Sequence, residues 1–482
     1  MPDLASTLDE APLSRFHTRA IVTAGMGFFT DAYDLFIIGT ATTLIAKQWH
    51  LSSAQTGLVN SITLISAFLG AFFFGRVADR LGRKRIYGLE AMLMVGGALA
   101  SAFAPDLLWL LVFRFVLGIG VGGDYPMSAV LMSEFSNRAN RGKLVGLVFS
   151  MQALGTVAGY VAGLTLLSAG VPDPVTWRLL LGLGALPAAA VIYQRRRMPE
   201  SPRYLQQVEG RAQEAAEAVR SFSDGSLSPE AVAPTGAGRT SLWSFLSNGR
   251  YLKVLVGTAG SWFLFDYAYY GNSVSAPLIV SSVLGKSGAE DLAHVLALQL
   301  IVFSVAAVPG YFLAAYAMDR IGHRRLQLIG FPLMGLAFLL IGVIPGITAA
   351  IVPFMILFGM SYFFAEFGPN TTTFVLAGEV FPTSSRTTGH GISAGVAKLG
   401  AFVGVYVFPI IKDHFGVSGA LRLSALFALV GFGLTLLIPE PAGRSLDELA
   451  PEEVLAGAER IVAGVAAGDV ASVAAGDVAG QR

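Results

Sequence analysis

The sequence predicts an all-α membrane protein with twelve transmembrane helices in two pseudo-symmetric six-helix bundles. Hydrophobic residues make up 54% of the 482-residue chain and charged residues 13%, about half the charged share of a soluble globular protein. Apolar stretches near the ~20 residues that cross a bilayer core recur along almost the whole chain. Basic loops with one sequence pattern also occur once in each half. Together these observations exclude a soluble protein.

The apolar stretches can be placed in order along the chain. The spans of the first bundle fall at about 19–46, 53–79, 86–104, 107–135, 142–169 and 176–195. The spans of the second bundle fall at about 250–284, 289–318, 326–344, 347–377, 387–415 and 417–438. Several exceed the thickness of a bilayer, which indicates helices that tilt or extend beyond it.

Polar segments divide the chain into five parts. We expect an N-terminal segment at 1–18, the first bundle at 19–195, a central loop at 196–249, the second bundle at 250–438 and a tail at 439–482. The central loop opens with a stretch that can form a surface helix and continues as a Gly-, Ser- and Pro-rich linker. The tail repeats AAGDVA, and this low complexity predicts disorder.

The basic residues predict the orientation of the chain in the membrane. The loops "GRVADRLGRKR", "NRANRGK", "QRRRMPESPR" and "DRIGHRR" alternate with loops that are nearly free of Lys and Arg. By the positive-inside rule, the basic loops, the central loop and both termini are cytoplasmic. The sequence therefore predicts a multi-pass protein of the plasma (inner) membrane.

The two halves repeat each other. "ADRLGRKR" at 78–85 matches "MDRIGHRR" at 318–325. A Glu is followed seven positions later by an Arg in each half, as Glu134 with Arg141 and as Glu379 with Arg386, and the glycines Gly155 and Gly400 keep the same offset. Two six-helix halves with repeated loops are typical of a transporter whose binding site lies near the bilayer midplane.

These loops resemble those of the major facilitator superfamily across nearly the whole chain. "GRVADRLGRKR" is similar to that superfamily's loop between helices 2 and 3, which latches the cytoplasmic gate, and "DRIGHRR" is similar to its echo between helices 8 and 9. A merely topogenic basic loop would explain the arginines but not the repeated Asp-Arg-x-Gly. The resemblance and the repeat predict a gate of ten residues: Gly75, Asp79, Arg80, Arg83, Glu134, Arg141, Asp319, Arg320, Glu379 and Arg386.

A narrower resemblance comes from "GVGGDYPMSA" at 120–129, which is similar to the signature of the phosphate:proton symporter family, best known from fungi and plants. Met127 stands where that signature usually has Leu. "FFTDAYDLF", "WFLFDYAYYGN" and "FGPNTTTFVLAGEVFPT" also match, with their spacings kept. "MPESPRYL" and "GRSLDEL" are shared by the sugar and phosphate porters of the superfamily, so they do not distinguish the two.

The resemblance implies a phosphate site made of six residues: Tyr125, Gln152, Trp262, Asp266, Tyr270 and Asn370. Tyr hydroxyls, the indole N–H and the amides suit an anion that needs many donors. Trp262, Asp266 and Tyr270 are spaced at i, i+4 and i+8, which puts them on one helix face. A carboxylate at ~3–4 Å would repel the anion by several kcal/mol at an effective dielectric of ~20, so Asp266 is expected to be protonated when phosphate is bound. The alternative for the aromatic residues is core packing, and for the two amides it is helix packing.

Ionisable residues inside spans are functional hypotheses by default. The proton-coupling set predicted here is Asp31, Asp34, Glu90, Arg114, Asp124, Asp266 and Lys398. Asp31 and Asp124 are the strongest candidates, and Arg114 is expected on the same helix side as Asp124. The alternative is a static buried ion pair between Arg114 and one acid. Pro126 is expected to bend its helix so that Asp124 faces the proton route and Tyr125 the anion.

The predicted function is import of phosphate coupled to proton symport by alternating access. Alternatives are a proton-coupled symporter of a small organic or aromatic acid, an option that Lys398 keeps open, a sugar symporter, or a phosphate sensor. An enzyme is not expected, since the spans hold no nucleophile–base constellation and the six His lack ligand spacing. We expect no cofactor or metal and no nucleic-acid partner. The partners are phosphate, protons and lipid, and the protein is expected to be a monomer.

Overall fold

The computed structural model of the chain describes residues 4–223, 227, 240–284 and 292–450. Every regular element within these ranges is a helix. Nine helices of the described residues are long and apolar enough to cross a membrane. The protein is therefore an all-α membrane protein, as its composition predicts, whereas the count of twelve spans stays a prediction.

The first half is built from helices joined by short turns. They are α1 (Leu4–Asp9), α2 (Arg15–Trp49), α3 (Ser53–Leu81), α4 (Arg83–Ile86), α5 (Leu89–Ala102), α6 (Leu107–Phe135), α7 (Arg141–Ser168), α8 (Asp173–Leu183) and α9 (Ala185–Arg197). The central part follows with α10 (Pro202–Gln207), α11 (Ala212–Phe222) and α12 (Leu242–Ser247). Thus the start of the predicted central loop is helical.

The second half has more interruptions. Its helices are α13 (Gly249–Val274), α14 (Ala276–Leu284), α15 (Leu292–Val302), α16 (Val308–Ile321), α17 (His323–Val343), α18 (Ile351–Ala365), α19 (Thr371–Ala377), α20 (Arg386–Thr435) and α21 (Leu446–Leu449). Two π-helical segments, Phe303–Ala307 and Glu366–Asn370, join α15 to α16 and α18 to α19.

Glycines mark two of the breaks inside the apolar stretches. Gly88 has φ +102° between α4 and α5, and Gly416 has φ +69° within α20. Glycine adopts these left-handed angles without the steric cost of a Cβ atom. Gly416 therefore divides α20 into two arms, at the point where the sequence places the boundary between two spans. Residues 228–239 of the predicted linker and residues 451–482 of the predicted tail lie outside the described residues.

Each half contains the same close helix approach. A methyl group at Gly155 of α7 would collide with the carbonyl of Phe29 on α2, and one at Gly400 of α20 would collide with that of Phe263 on α13. Small residues let transmembrane helices pack with their backbones close together. The shared offset noted in the sequence thus reflects one packing solution used twice.

Candidate functional site

The first half contributes a buried hydrogen-bonded group from three helices. Tyr125 of α6 donates its hydroxyl to Asp31 Oδ2 of α2 at 2.7 Å. Gln152 of α7 donates to the same oxygen at 3.1 Å and to the Tyr125 hydroxyl at 3.0 Å. The second carboxyl oxygen of Asp31 is buried and has no hydrogen-bond partner among the described residues.

The second half contributes a buried ion pair. Lys398 Nζ on α20 lies 3.2 Å from Asp266 Oδ2 on α13 and 3.1 Å from the Tyr270 hydroxyl. The same ammonium lies 4.5 Å from the ring centre of Tyr125, which belongs to the first half. Ring contacts of this kind attract a cation. Lys398 therefore lies where the two halves meet, instead of pointing to lipid.

A chain of hydrogen bonds connects the halves. Asn370 Nδ2 donates to the Tyr311 hydroxyl at 2.9 Å, and Tyr311 donates to Gln152 Oε1 at 3.2 Å. Asn370 also donates to Glu366 Oε2. We call the following residues the central site: Asp31, Tyr125, Gln152, Asp266, Tyr270, Tyr311, Asn370 and Lys398.

Trp262 lies at the edge of the central site. Its ring centre is 6.0 Å from that of Tyr125 and 5.6 Å from that of His390. Phe374 packs edge-on against Trp262 and His390 at 6.4 and 5.3 Å. The structure therefore brings all six predicted phosphate-binding residues together, with His390 buried behind the aromatic rings.

Arg114 pairs with Asp34 and not with Asp124. Arg114 Nη1 lies 2.6 Å from Asp34 Oδ1, and Asp124 has another partner. Ten helical residues rise by about 15 Å, so the two side chains meet α2 at different levels, Arg114 at Asp34 and Asp124 beside Gly27. The alternative that the sequence left open, a buried ion pair between Arg114 and one acid, matches this geometry, and the acid is Asp34.

The partner of Asp124 is Arg195 near the end of α9. Arg195 Nη1 and Nη2 lie 2.7 and 3.1 Å from the two Asp124 oxygens, and Nη1 lies 3.1 Å from Glu90 Oε1. Ser128 also donates to Asp124 at 2.7 Å. Glu90 and Asp124 both belong to the predicted proton-coupling set, and Arg195, which that set does not include, holds these two acids together.

The "GVGGDYP" stretch lies inside one uninterrupted helix. A Cβ at Gly122 would strike the carbonyl of Ala67, and one at Gly123 would press on the Phe74 ring at 2.7 Å, so these glycines allow α3 to pack tightly on α6. Pro126 lies within α6 without ending it. The successive residues Asp124 and Tyr125 face the Arg195 cluster and the central site because each helical step turns by about 100°.

A separate set of contacts closes the end of the molecule that the sequence predicts to be cytoplasmic, called here the basic end. Asp79, near the end of α3, accepts hydrogen bonds from Thr388 N at 2.6 Å and Thr387 Oγ1 at 2.8 Å at the start of α20. Arg83 lies 3.2 Å from both Asp79 and Glu134. Carboxylates at helix N-termini are favourable, because the free N–H groups there point at them. Gly75 makes room, with the Thr387 carbonyl 2.6 Å from where its Cβ would be.

The second half repeats this arrangement against the first. Asp319, near the end of α16, accepts hydrogen bonds from Gly142 N at 2.9 Å and Lys143 N at 2.8 Å at the start of α7. His323 lies between Asp319 and Glu379, with its ring nitrogens 3.0 and 2.8 Å from their oxygens. Each loop therefore caps a helix of the opposite half.

Two ion pairs cross between the halves at the same level. Arg386 lies 2.7 Å from Glu134, and Arg141 lies 3.0 Å from Glu379. Burial alone would raise the pKa of Glu379, but His323 and Arg141 outweigh it and hold that pKa below its ordinary value. The Glu and Arg of each repeat thus bind the Arg and Glu of the other.

The predicted gate residues Arg80 and Arg320 do not lie among these contacts. Both side chains are exposed, one position along the helix from Asp79, which is buried, and Asp319, which is half-buried. A single helical step of about 100° turns them away from the interface. We call Asp79, Arg83, Glu134 and Arg386 the first latch, and Asp319, His323, Glu379 and Arg141 the second latch.

Sequence reasoning missed Arg195, Tyr311, Glu366 and the role of His323. Arg195 stands in the run "QRRR", where it looks like one of several loop cations. Glu366 carried a usable signal, because an acid inside an apolar stretch is rare and functional by default. Tyr311 carried none beyond its place in an apolar span.

The central site can bind an anion by hydrogen bonding and can move protons through its carboxyl groups. Hydroxyl, amide and ammonium donors from both halves converge there, so a ligand would contact both halves at once. The described residues contain no group of three metal-ligating side chains.

Comparison with known proteins gives consistent matches along the chain. The family model "Sugar (and other) transporter" matches residues 20–452. "Low affinity inorganic phosphate transporter 8" of Medicago truncatula is 37% identical, over 93% of this chain and 92% of that protein. "Probable inorganic phosphate transporter 1-6" of Arabidopsis thaliana is 34% identical, over 93% and 96% respectively.

Solved structures match the fold at lower sequence identity. The major facilitator superfamily proton:xylose symporter XylE, bound to 6-bromo-6-deoxy-D-glucose, has a TM-score of 0.77 at 22% identity, over 90% of this chain and 98% of that one. A partially occluded inward-open form of the xylose transporter XylE from E. coli has a TM-score of 0.70 at 20% identity, over 89% and 99%. The described chain therefore has the major facilitator fold.

Proposed function

The chain belongs to the sugar (and other) transporter family, and on that premise we propose that it imports inorganic phosphate by proton symport and alternating access. Its relatives are transporters and not enzymes. The single observation that carries the proposal is the convergence of donors from both halves on the central site. We further propose that the protein acts as a monomer in the plasma membrane with both termini cytoplasmic.

Phosphate is the substrate that the central site suits. Its four oxygens need several short donors, and Tyr125, Gln152, Tyr270, Asn370 and Trp262 carry such groups. Both named plant relatives are called inorganic phosphate transporters, which supports the same substrate here. Lys398 adds a positive charge, although it is already paired with a carboxylate.

Proton coupling is proposed to use the acids of the central site and of the first half. Asp266 shares Lys398 with whatever anion binds, so protonating Asp266 frees the ammonium for phosphate. Proton and phosphate then favour each other's binding, by linkage. Asp31, with its unpartnered buried oxygen, is the proposed proton acceptor of the first half. Asp124 and Glu90 are proposed to carry the proton further, toward the basic end.

The Asp266 role predicts a specific behaviour of Asp266→Asn. The amide mimics the protonated acid and leaves Lys398 free, so phosphate binding is expected to persist while uptake depends less steeply on pH, because the other proposed proton acceptors still titrate. Phosphate binding by the purified variant and its uptake at several pH values check this. Fully pH-coupled transport by the variant would remove Asp266 from the coupling mechanism.

Alternating access is supported by the closed basic end. Both latches hold the start of a helix from the other half, so opening this end requires both latches to break. The central site would then be reached from one end at a time, as the pseudo-symmetric halves rock about it.

The substrate assignment is tested by uptake of radiolabelled phosphate into proteoliposomes, with succinate, glucose and sulfate as competitors. We expect saturable phosphate uptake that these competitors leave unchanged. Inhibition by succinate together with counterflow of succinate would transfer the assignment to organic acids on the same fold.

A further inference from the structure

Glu366 is a buried carboxyl group outside the predicted phosphate site and proton set. It is 0% exposed and begins the π-helical segment Glu366–Asn370. A Cβ at Gly310 would lie 2.9 Å from the Glu366 Cβ, and one at Gly330 would strike Gly368. These glycines let α16 and α17 press on the π-helical segment. Glu366 and Asn370 are thereby held side by side.

Hydrogen bonds connect Glu366 with Asp31 across the two halves. Asn370 donates both to Glu366 and to Tyr311, Tyr311 donates to Gln152, and Gln152 donates to Asp31. The described network therefore begins and ends on a carboxyl group. Between them lie two of the residues proposed to bind phosphate, Asn370 and Gln152.

The two carboxyl groups are alike in having one satisfied and one unsatisfied oxygen. Asp31 Oδ1 and Glu366 Oε1 are buried and have no hydrogen-bond partner among the described residues. A buried carboxylate oxygen without a partner is costly, whereas a protonated oxygen becomes a donor. An anion oxygen is the acceptor that such a donor would find in this site.

The charges of the site also require neutralisation. Among the described residues, three buried carboxyl groups and one buried amine interact there: Asp31, Asp266, Glu366 and Lys398. With all ionised, the net charge would be −2 before any phosphate entered. Unit charges ~4 Å apart interact by about 4 kcal/mol at an effective dielectric of ~20. Lys398 is in direct contact with Asp266, so Asp31 and Glu366 remain to be neutralised.

We propose that Glu366, next to the central site, is a further proton-carrying carboxyl group, which takes up one proton with each phosphate and releases it with that phosphate. This inference rests on the proposed function and adds one proton to its stoichiometry. The proton comes from the medium on the side where phosphate enters and leaves on the other side. No bond other than O–H forms or breaks.

The groups that face Glu366 fit this role. From α13 come Asp266 and Tyr269, from α16 comes Tyr311, and from α18 comes Tyr362. None of these is a cation, and α17 contributes the contact between Gly330 and Gly368. The hydroxyl groups of Tyr269 and Tyr311 stabilise the charged form of Glu366, but neither carries a positive charge, so among the described residues neutralisation of Glu366 is left to a proton.

The test compares the full-length protein with its E366Q variant, which keeps an oxygen for Asn370 to donate to. Isothermal titration calorimetry of inorganic phosphate, in two buffers with different heats of ionisation, gives the number of protons taken up per phosphate bound. We expect E366Q to take up one proton fewer. Its phosphate Kd should also change about tenfold less per pH unit. Ionisation of phosphate itself cancels in the difference.

A second variant and a control keep the result interpretable. E366D retains a titrating carboxyl and should restore the wild-type proton number, which separates charge from packing. The matched control is D173N, since Asp173 pairs with Lys47 at the surface with 38% of its side chain exposed, and it should leave the proton number unchanged. Equal proton uptake by wild type and E366Q would overturn the role of Glu366 while leaving phosphate transport intact. Absence of phosphate binding and uptake in the wild type would overturn the proposed function itself, and this inference with it.

Discussion

At the basic end, the loop of the first half places Arg83 between Asp79 and Glu134, and the loop of the second half places His323 between Asp319 and Glu379. The two positions correspond in the sequence repeat, because each follows Asp-Arg-x-Gly. The surrounding geometry is also shared, since each loop caps a helix of the other half.

The backbone around the two positions is equally similar. Gly82 and Gly322 have φ of +93° and +105°. Glu200 accepts from Arg83 N and Lys84 N, and Glu440 accepts from His323 N at 2.8 Å. The latches therefore differ in the central side chain, and not in the glycine and the glutamate that hold the backbone around it. Arginine is charged at every physiological pH, whereas histidine can lose its charge as the pH rises.

This difference gives the two latches different sensitivities. Both His323 nitrogens face carboxylates, so both interactions are satisfied as N–H donors when the ring carries two protons. Burial alone would lower the pKa of His323, but Glu379 and Asp319 outweigh it and raise that pKa to about 10. As the pH rises through this value and the imidazolium loses a proton, one nitrogen becomes an acceptor facing an acceptor. The second latch is then weakened, while Arg83 leaves the first latch unchanged.

The largest effect is expected from Asp79→Asn. Asp79 holds Thr387, Thr388 and Arg83, and hydrogen bonds to charged groups contribute about 1.5–3 kcal/mol each. The basic end should open more often, with labelling of a cysteine introduced at the buried Thr383 accelerated at least about tenfold. The natural chain has no cysteine, so the introduced thiol is the sole target.

The matched substitution in the second latch is Asp319→Asn. It should accelerate the same labelling, but by less than Asp79→Asn, because the described contacts of Asp319 are two amides and one histidine. Identical acceleration by both variants would show that the latches break together and that their difference has no mechanical consequence.

Exchanging the central side chains of the two latches tests whether the histidine causes their different response to pH. His323→Arg should remove the increase in opening at alkaline pH, and Arg83→His should add a second such increase. Labelling rates of both variants are divided by the wild-type rate at each pH, which cancels the ionisation of the thiol. A constant ratio for His323→Arg between pH 8 and 11, the range around the raised pKa of His323 of about 10, would contradict the assigned role of His323.

The smallest effects are expected from Arg80→Ala and Arg320→Ala. Both arginines are exposed, and exposed substitutions away from special features usually change stability by less than about 0.5 kcal/mol. Melting temperature and labelling rate should stay near the wild-type values. A tenfold change in the labelling rate of either variant would show that its arginine takes part in holding the basic end closed.

The repeat explains how much of this could be predicted from the sequence. Apolar length placed the helices, and the matching Asp79 and Asp319 loops placed the latches, because both features are local in the chain. The pairing of Asp34 with Arg114 could not be found in this way, since it depends on how α2 and α6 are rotated against each other. Arg195 was hidden for the same reason among its neighbouring arginines.

The residues of the central site also fall into those that the sequence could predict and those that needed the structure. Trp262, Asp266 and Tyr270 could be grouped from their helical spacing, and the family resemblance supplied the residues on other helices. The contacts of Glu366 and Tyr311 with the other site residues required the structure, because a π-helical segment changes which side chains share a face. Spacing rules based on 3.6 residues per turn fail at such a segment.

The central claim is that a proton gradient drives phosphate through this protein. The most direct measurement is the phosphate concentration reached inside proteoliposomes under an inward proton gradient, with and without a protonophore. We expect phosphate to accumulate above the external concentration, and we expect the protonophore to abolish this accumulation. Phosphate that equilibrates to the same level with and without the gradient would contradict it.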